Sequence, residues 1–242
     1  MGRVMMSGIV PTLKAPVTGV LASSLAVGST VKLMEGGVAV EYLVVNQGIP
    51  ENSSLYDASC DGTWLLRKDC HSKRQWNTSD INNYETSAIN TWLNGDFFNS
   101  FGSVEQATIK QVKIPYRADG GYSGTDQSGA NGLPCNVFLL GGYELGWTTD
   151  DDRYFSVDGA KLNYFTASSD GNSKRVAYLN GSGTIWWLRS PEISGDIYAR
   201  RVLADGDYSF SRPSDLGGIR PALVLPNNTV FDETTMLLKG VK

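Results

Sequence analysis

The sequence predicts an α+β fold of short antiparallel strands, two helices and long loops. Three observations lead there. Gly is abundant, at 27 of 242 residues, and Asn, Ser and Asp recur in short clusters, which suits turns and short strands rather than a helical bundle. Apolar runs are brief and punctuated by turn residues. Two stretches carry helix-start signals followed by apolar residues at helical spacing.

The elements follow in order. Residues 1–24 are small, apolar and broken by Pro11 and Pro16. They read as an arm that either docks on a neighbouring copy, giving a homo-oligomer, or lies on its own domain, residues 25–242. Thr30 to Leu33 and Val38 to Val45 read as strands joined at Glu35-Gly36-Gly37, where Gly-Gly supplies the positive φ of a tight hairpin turn. Thr63 to Arg67 is a further strand. Thr86 or Ser87 caps a helix whose apolar face is Ala88, Ile89, Trp92 and Leu93, and Asn94-Gly95 reads as its end. Asp96 to Phe101 reads as a helical turn packed by its Phe residues. A second short helix starts at Ser103, with Gln106 at capping-box spacing. Val112 to Pro115 is a short strand, residues 117–134 a loop and Val137 to Leu140 a buried strand. Residues 148–175 are again rich in loop residues. Thr184 to Leu188, Ile197 to Leu203 and Ile219 to Leu225 complete the strands, with Asp205-Gly206 turning a hairpin and Ile219 to Leu225 closing the sheet. About eight strands are expected in all, paired antiparallel.

Composition narrows the function. The net charge is -4 and no basic run occurs, which argues against nucleic acid as a partner, because phosphate binding needs clustered Lys and Arg. No apolar stretch is long enough to span a bilayer, so membrane insertion is not expected. The N-terminus lacks the basic start and apolar core of a signal peptide. Synthesis in a bacterial cytoplasm is therefore expected, which leaves room for later carriage in a virion.

Signals for chemistry are weak, and neither a cofactor nor a metal is called for. His71 is the one histidine, so any Ser-His-Asp or Cys-His triad must pass through it. It lies in a polar loop, and Cys70 beside it in sequence points to the other face of an extended chain. A solvated loop residue is the favoured reading. Cys60, Cys70 and Cys135 lack the spacing of a zinc site and read as reduced thiols, although Cys60 and Cys70 are placed to meet across a hairpin. Asp150-Asp151-Asp152 with Asp158 offers oxygen ligands for calcium but matches no calcium-loop pattern, and a solvated loop is favoured.

The C-terminal fifth is more informative. Two apolar anchors, Trp186-Trp187-Leu188-Arg189-Ser190-Pro191 and Gly217-Gly218-Ile219-Arg220-Pro221-Ala222-Leu223, bracket a polar stretch, residues 192–216. Trp186, Trp187, Arg189 and Arg220 read as structural. A buried guanidinium needs a carboxylate or carbonyl partner, and Glu144, just after a buried strand, is the candidate for one of the two arginines. The bracketed stretch is rich in Tyr, Ser, Arg, Asp and Gly, the palette of adaptable recognition surfaces. An ordinary hairpin with a polar face accounts for it equally well. Hairpin alternation places Ala199 and Val202 inward. It places Ser194, Asp196, Tyr198, Arg200, Arg201, Asp207, Tyr208, Phe210, Arg212 and Ser214 outward, as ligand contacts.

These anchors resemble the frame of variable proteins from diversity-generating retroelements. They also resemble a broader uncharacterised domain family of gut bacteria and their phages. Gly28-Ser29-Thr30-Val31-Lys32-Leu33, Tyr42-Leu43-Val44-Val45-Asn46, Trp64-Leu65-Leu66-Arg67-Lys68 and Phe138-Leu139-Leu140-Gly141-Gly142-Tyr143-Glu144 are similar to phage tail-associated members. The likeness runs over residues 20–240. It implies a C-type-lectin-like fold that displays a variable region, about residues 186–223, to a protein or glycan on a bacterial surface, from a phage tail tip or a cell. Such retroelements diversify adenine-rich codons, whose products exclude Lys, Met, Trp, Gln and Glu. None of these occurs between Ile193 and Leu216, where roughly three are expected at whole-chain frequency. The resemblance implies a binding protein rather than an enzyme. A structural tail component without a diversified site is the alternative. A catalyst like the formylglycine-generating enzymes is less favoured, since no Cys pair stands in the C-terminal part.

Overall fold

The computed structural model describes residues 17–51, 53–166 and 172–242. Among these, two five-stranded sheets organise the chain. The scaffold sheet runs, in space, Val137–Phe138, Ala222–Leu225, Thr63–Arg67, Val38–Gln47, Thr30–Glu35, and is antiparallel throughout. The hairpin sheet runs Tyr208–Ser211, Ala199–Val202, Trp186–Pro191, Leu216–Gly218, Lys73–Gln75. It is antiparallel except where Trp186 pairs in parallel with Gly218. With short helices at its margins, the chain is α+β.

Local sequence explains much of this. Gly36 and Gly37 take φ of 60° and 81°, which turns Thr30–Glu35 into Val38–Gln47 in register. Thr63 to Leu66 are buried in succession, as a strand covered on both faces requires. Trp64 receives the rings of Tyr56 and Phe138 edge-on, at 5.6 and 5.5 Å, and its indole N–H donates to the Cys60 carbonyl at 3.0 Å. Buried residues from Ala22 to Leu238 form one hydrophobic cluster.

Several expectations need correction. The two anchors share the hairpin sheet only at Gly217-Gly218, where Gly218 pairs with Trp186, and the second anchor then crosses to the scaffold sheet. Trp186–Pro191 lies in the hairpin sheet, whereas Ala222–Leu225 sits inside the scaffold sheet between Val137–Phe138 and Thr63–Arg67. The chain changes sheets at Ile219-Arg220-Pro221. Of the expected arm, residues 1–24, the described part follows the alternative of lying on its own domain. Val20–Leu21 pairs with Val230 and Phe231, so this part belongs to the domain, and residues 1–16 lie outside the described ones. Ser87 caps the helix Ala88–Trp92 as expected, its hydroxyl accepting from the Asn90 N–H at 3.2 Å. That helix does not stop at Asn94-Gly95 but continues through a π-turn, Leu93–Phe97. Asn94 is engaged by Val137, accepting from its N–H and donating to its carbonyl, and the buried Phe97 draws the helix onward. The expected capping box at Ser103 is absent. Gly102 is the N-cap, and Gln106 donates instead to the Phe101 carbonyl at 2.7 Å. The loop expected at 117–134 contains a ribbon, Tyr116–Ala118 with Thr125–Gln127.

Gly217 and Gly218 are required by close approach. A Cβ on Gly217 would meet the Trp187 indole at 2.5 Å, and one on Gly218 would meet the Ile185 carbonyl at 2.8 Å. Trp187 is held there by its N–H, which donates to the Arg74 carbonyl at 3.1 Å. Gly217→Ala is expected to cost about 1–3 kcal/mol, as overpacking does, seen as a lowered urea midpoint with unchanged m-value.

Candidate binding face

Trp186–Pro191 is buried along its whole length. Arg189 points into the interior, where its guanidinium meets Glu144 through both oxygens, at 2.6 and 2.8 Å. Both side chains are wholly inaccessible. Arg189 also donates to the carbonyls of Leu139 and Pro115, at 2.9 Å each, and of Asp158. Glu144 further accepts from the Tyr56 hydroxyl and the Gly141 N–H, at 3.0 Å each. Burial opposes the Arg189 charge, yet Glu144 and then Asp158 hold its pKa above the ordinary guanidinium value. The pairing expected for Glu144 is therefore with Arg189.

Arg220 has a different environment. It donates to the carbonyls of Arg67 and Lys68, at 3.0 Å each, and lies over the Trp186 ring, 5.0 Å from its centroid. Burial lowers its pKa to about 10, so it remains charged at neutral pH.

Asp158 is the third charged group at the Arg189 centre. Its carboxylate accepts from the Ser190 hydroxyl at 2.6 Å, while its Oδ1 has no partner among the described residues. Burial raises its pKa to about 6, with Arg189 opposing that shift. A carboxyl raised from about 4 to about 6 binds a proton more readily when folded. Its contribution to stability is therefore full below pH 4 and is lost as pH rises to 6.

The displayed segment leaves this frame at Glu192. Asn82, a buried residue, pins it. The Asn82 amide donates to the carbonyls of Gly195 and Tyr198 at 3.0 and 2.8 Å, and to Glu192 at 3.3 Å. Its backbone N–H donates to the Asp196 carbonyl at 3.1 Å, and its own side-chain oxygen accepts from the Gly121 N–H at 2.8 Å. Ala199–Val202 then pairs with Tyr208–Ser211, with Arg200 opposite Phe210 and Val202 opposite Tyr208.

Ala199 and Val202 are buried, as alternation requires. Ser194, Asp196, Asp207, Phe210 and Arg212 are exposed. Tyr198 is half-buried against Phe210, ring centroids 5.1 Å apart. Arg212 pairs with Asp80 at 2.6 Å, and the half-buried Ser214 donates to the same carboxylate. Ser194 donates to Glu192. The Asp196 carboxylate accepts from the backbone of Tyr122, a residue 77 % exposed. Tyr122, Ile197, Tyr198, Phe210 and Arg212 thus gather on the exposed side.

Arg200 is the clear correction. Expected outward, it is fully buried, donating to Asp152 at 2.9 Å, 3.7 Å from Glu192, and stacked 4.4 Å from the Phe155 centroid. Two carboxylates and an aromatic face from distant segments draw the charge inward, and Phe210 lies beyond it at 5.7 Å. Arg201, opposite Trp187 and Ser209, is half-buried rather than displayed. Tyr208 is also half-buried. Its ring sits edge-on to Trp147 and Phe155, and its hydroxyl donates to the Asp151 carbonyl at 2.9 Å. Asn82, Asp80, Tyr122 and Phe155 were missed. Each acts across a long sequence gap, and no local pattern marks it.

The remaining chemistry candidates do not assemble. Cys60, Cys70 and Cys135 are free and buried. Burial pushes the Cys60 thiol up to about 12 and Cys70 to about 11, which keeps both protonated and weakly nucleophilic. His71 is not a solvated loop residue. Its ring is 5.3 Å from Trp92 and 5.2 Å from Phe97, and burial lowers its pKa. Asp152 and Asp158 are engaged separately, and among the described residues no three His, Cys, Asp or Glu side chains converge. No described helix is long and apolar enough to cross a membrane.

Glu144→Gln leaves the Arg189 charge unbalanced in the interior and is expected to destabilise the fold by about 3–5 kcal/mol in urea titration. Asp158→Asn is expected to flatten the pH dependence between pH 4 and 6. The unmodified chain should lose about 2–3 kcal/mol across that interval, one pKa unit being worth about 1.4 kcal/mol.

Comparison with known families gives one match. The model of a domain of unknown function, DUF6273, covers residues 61–227, from the scaffold strand Thr63–Arg67 through both anchors. No curated protein and no solved structure matches the chain. The matched span is more than half of the sequence, and the chain belongs to the DUF6273 family.

Proposed function

We propose that this chain is a ligand-binding protein that presents residues 192–216 as a recognition surface. On this reading the scaffold is C-type-lectin-like, the ligand is a protein or glycan on a bacterial surface, and the chain works from a phage tail or a bacterial cell. It binds and does not catalyse. One observation carries the reading: the backbone of the segment is fixed by buried groups, while an aromatic and an Arg side chain at its surface stay accessible. Asn82 holds the backbone through its carbonyls, and the strand that feeds the segment is wholly buried. Phe210 is 47 % exposed and Arg212 retains 55 % exposure of its side chain. Aromatic and Arg side chains carried on a rigid base are the usual energetic anchors of recognition surfaces. The protonated, buried thiols and the enclosed Ser190 support binding over nucleophilic catalysis.

The test uses Tyr198→Ala, Phe210→Ala and Arg212→Ala together. Tyr208 is left intact because it packs beneath the surface. Capture by a panel of intact gut bacteria, read by flow cytometry, is expected to fall at least tenfold with the thermal midpoint nearly unchanged. Undiminished capture by a folded triple variant would overturn the reading.

A further inference from the structure

A groove of about 340 Å³ opens on the other edge of the hairpin sheet, between the edge strand Lys73–Gln75 and the helix Ala88–Trp92. Its apolar lining includes Ile89, Trp92 and Leu216, and its polar lining includes Lys73, Arg74 and Thr78. The Arg74 guanidinium lies over the Trp92 ring, 4.0 Å from its centroid. Stacking of this kind holds the planar cation in place and leaves its N–H edge free for a bidentate oxyanion. Lys73, the preceding residue on the edge strand, also lines the groove and adds a second positive charge nearby.

Neither cation has an acidic partner among the described residues. Asp80 and Glu35, on adjoining segments, are engaged by Arg212 and by Arg67. Among the described residues no carboxylate lines the groove. Two unpaired cations on the wall of a half-apolar groove attract an anion of matching size. The form of that anion is constrained. The edge strand is three residues long, which offers little backbone for adding a peptide strand. Gln75 donates to the Ser214 carbonyl at 2.7 Å, leaving its own oxygen to accept, and the Thr78 hydroxyl is exposed. Carboxylate, hydroxyls and one apolar face occur together in an acidic sugar.

We infer that this groove binds an acidic monosaccharide unit, a uronic or sialic acid. Arg74 takes its carboxylate with the Lys73 charge adding to the attraction, Gln75 and Thr78 take its hydroxyls, and Ile89 and Leu216 its apolar face. The groove shares only Leu216 with residues 192–216. The inference therefore does not rest on ligand binding by that surface.

Calorimetric titration of the full chain with sodium glucuronate and with N-acetylneuraminate tests it, with glucose and the methyl ester of glucuronate as uncharged controls. One of the acids is expected to bind and to quench Trp92 emission, with the controls at least tenfold weaker. Arg74→Gln and Lys73→Gln, both at exposed positions, are each expected to weaken the acid roughly tenfold, the scale of one charged hydrogen bond. The Tyr198, Phe210, Arg212 triple variant keeps full affinity for the acid, so the two readings fail separately. Equal binding of acid and ester, binding of neither acid, or unchanged affinity in Arg74→Gln would overturn the proposal. Tighter binding of a short Asp/Glu peptide than of either acid would overturn the sugar assignment.

Discussion

The buried pair of Arg189 and Glu144 is the constraint on which the arrangement of both sheets depends. An enclosed guanidinium must find acceptors for its N–H groups, and here they come from separate stretches of chain: Pro115, Leu139, Glu144 and Asp158. Leu139 and Glu144 follow directly from the scaffold strand Val137–Phe138, whereas Arg189 belongs to the hairpin sheet. One side chain therefore ties the hairpin sheet to the segments that follow the scaffold strand. Gly141 and Gly142 reinforce it, donating from their backbone to Glu144 and to Ser190. Such an interior ion pair adds little net stability compared with apolar packing of the same volume, because desolvation offsets the attraction. Its value lies in geometry, since few other arrangements satisfy so many donors at once.

Above that centre, inward and outward grade into one another along the hairpin. Arg200 repeats the Arg189 theme nearer the surface, with Asp152, Glu192 and the Phe155 ring as its surroundings. Tyr208 fills the space beside it, and Phe210 forms the lid between this second centre and solvent. The accessible aromatic side chains thus stand on a charged underlayer that belongs to the interior. This explains why the surface holds its shape without a long regular strand beneath it.

The sequence made the anchors, the Gly36-Gly37 turn, the cap at Ser87 and the Arg189 partner legible, because each depends on neighbours or on a rule about buried charge. Arg200 was misread because its carboxylates come from positions 152 and 192, and alternation alone cannot see them. The helix end at Gly95 was misread because Asn94 answers to Val137, across the fold, rather than to a local cap. The sheet exchange at residues 219–221 left no local trace either. Arg220, which secures it, is satisfied by backbone carbonyls and stacks on Trp186. Local rules reached the elements, and long-range pairing decided which side chains the elements present.

Asn82 grips the segment by main-chain oxygens, at Glu192, Gly195, Asp196 and Tyr198. A main-chain oxygen is the same whichever residue bears it. Substitutions at 195, 196 and 198 therefore leave this tether chemically untouched. Sequence drift at 195 and 198 can proceed without loosening this tether, while position 82 itself tolerates almost no change.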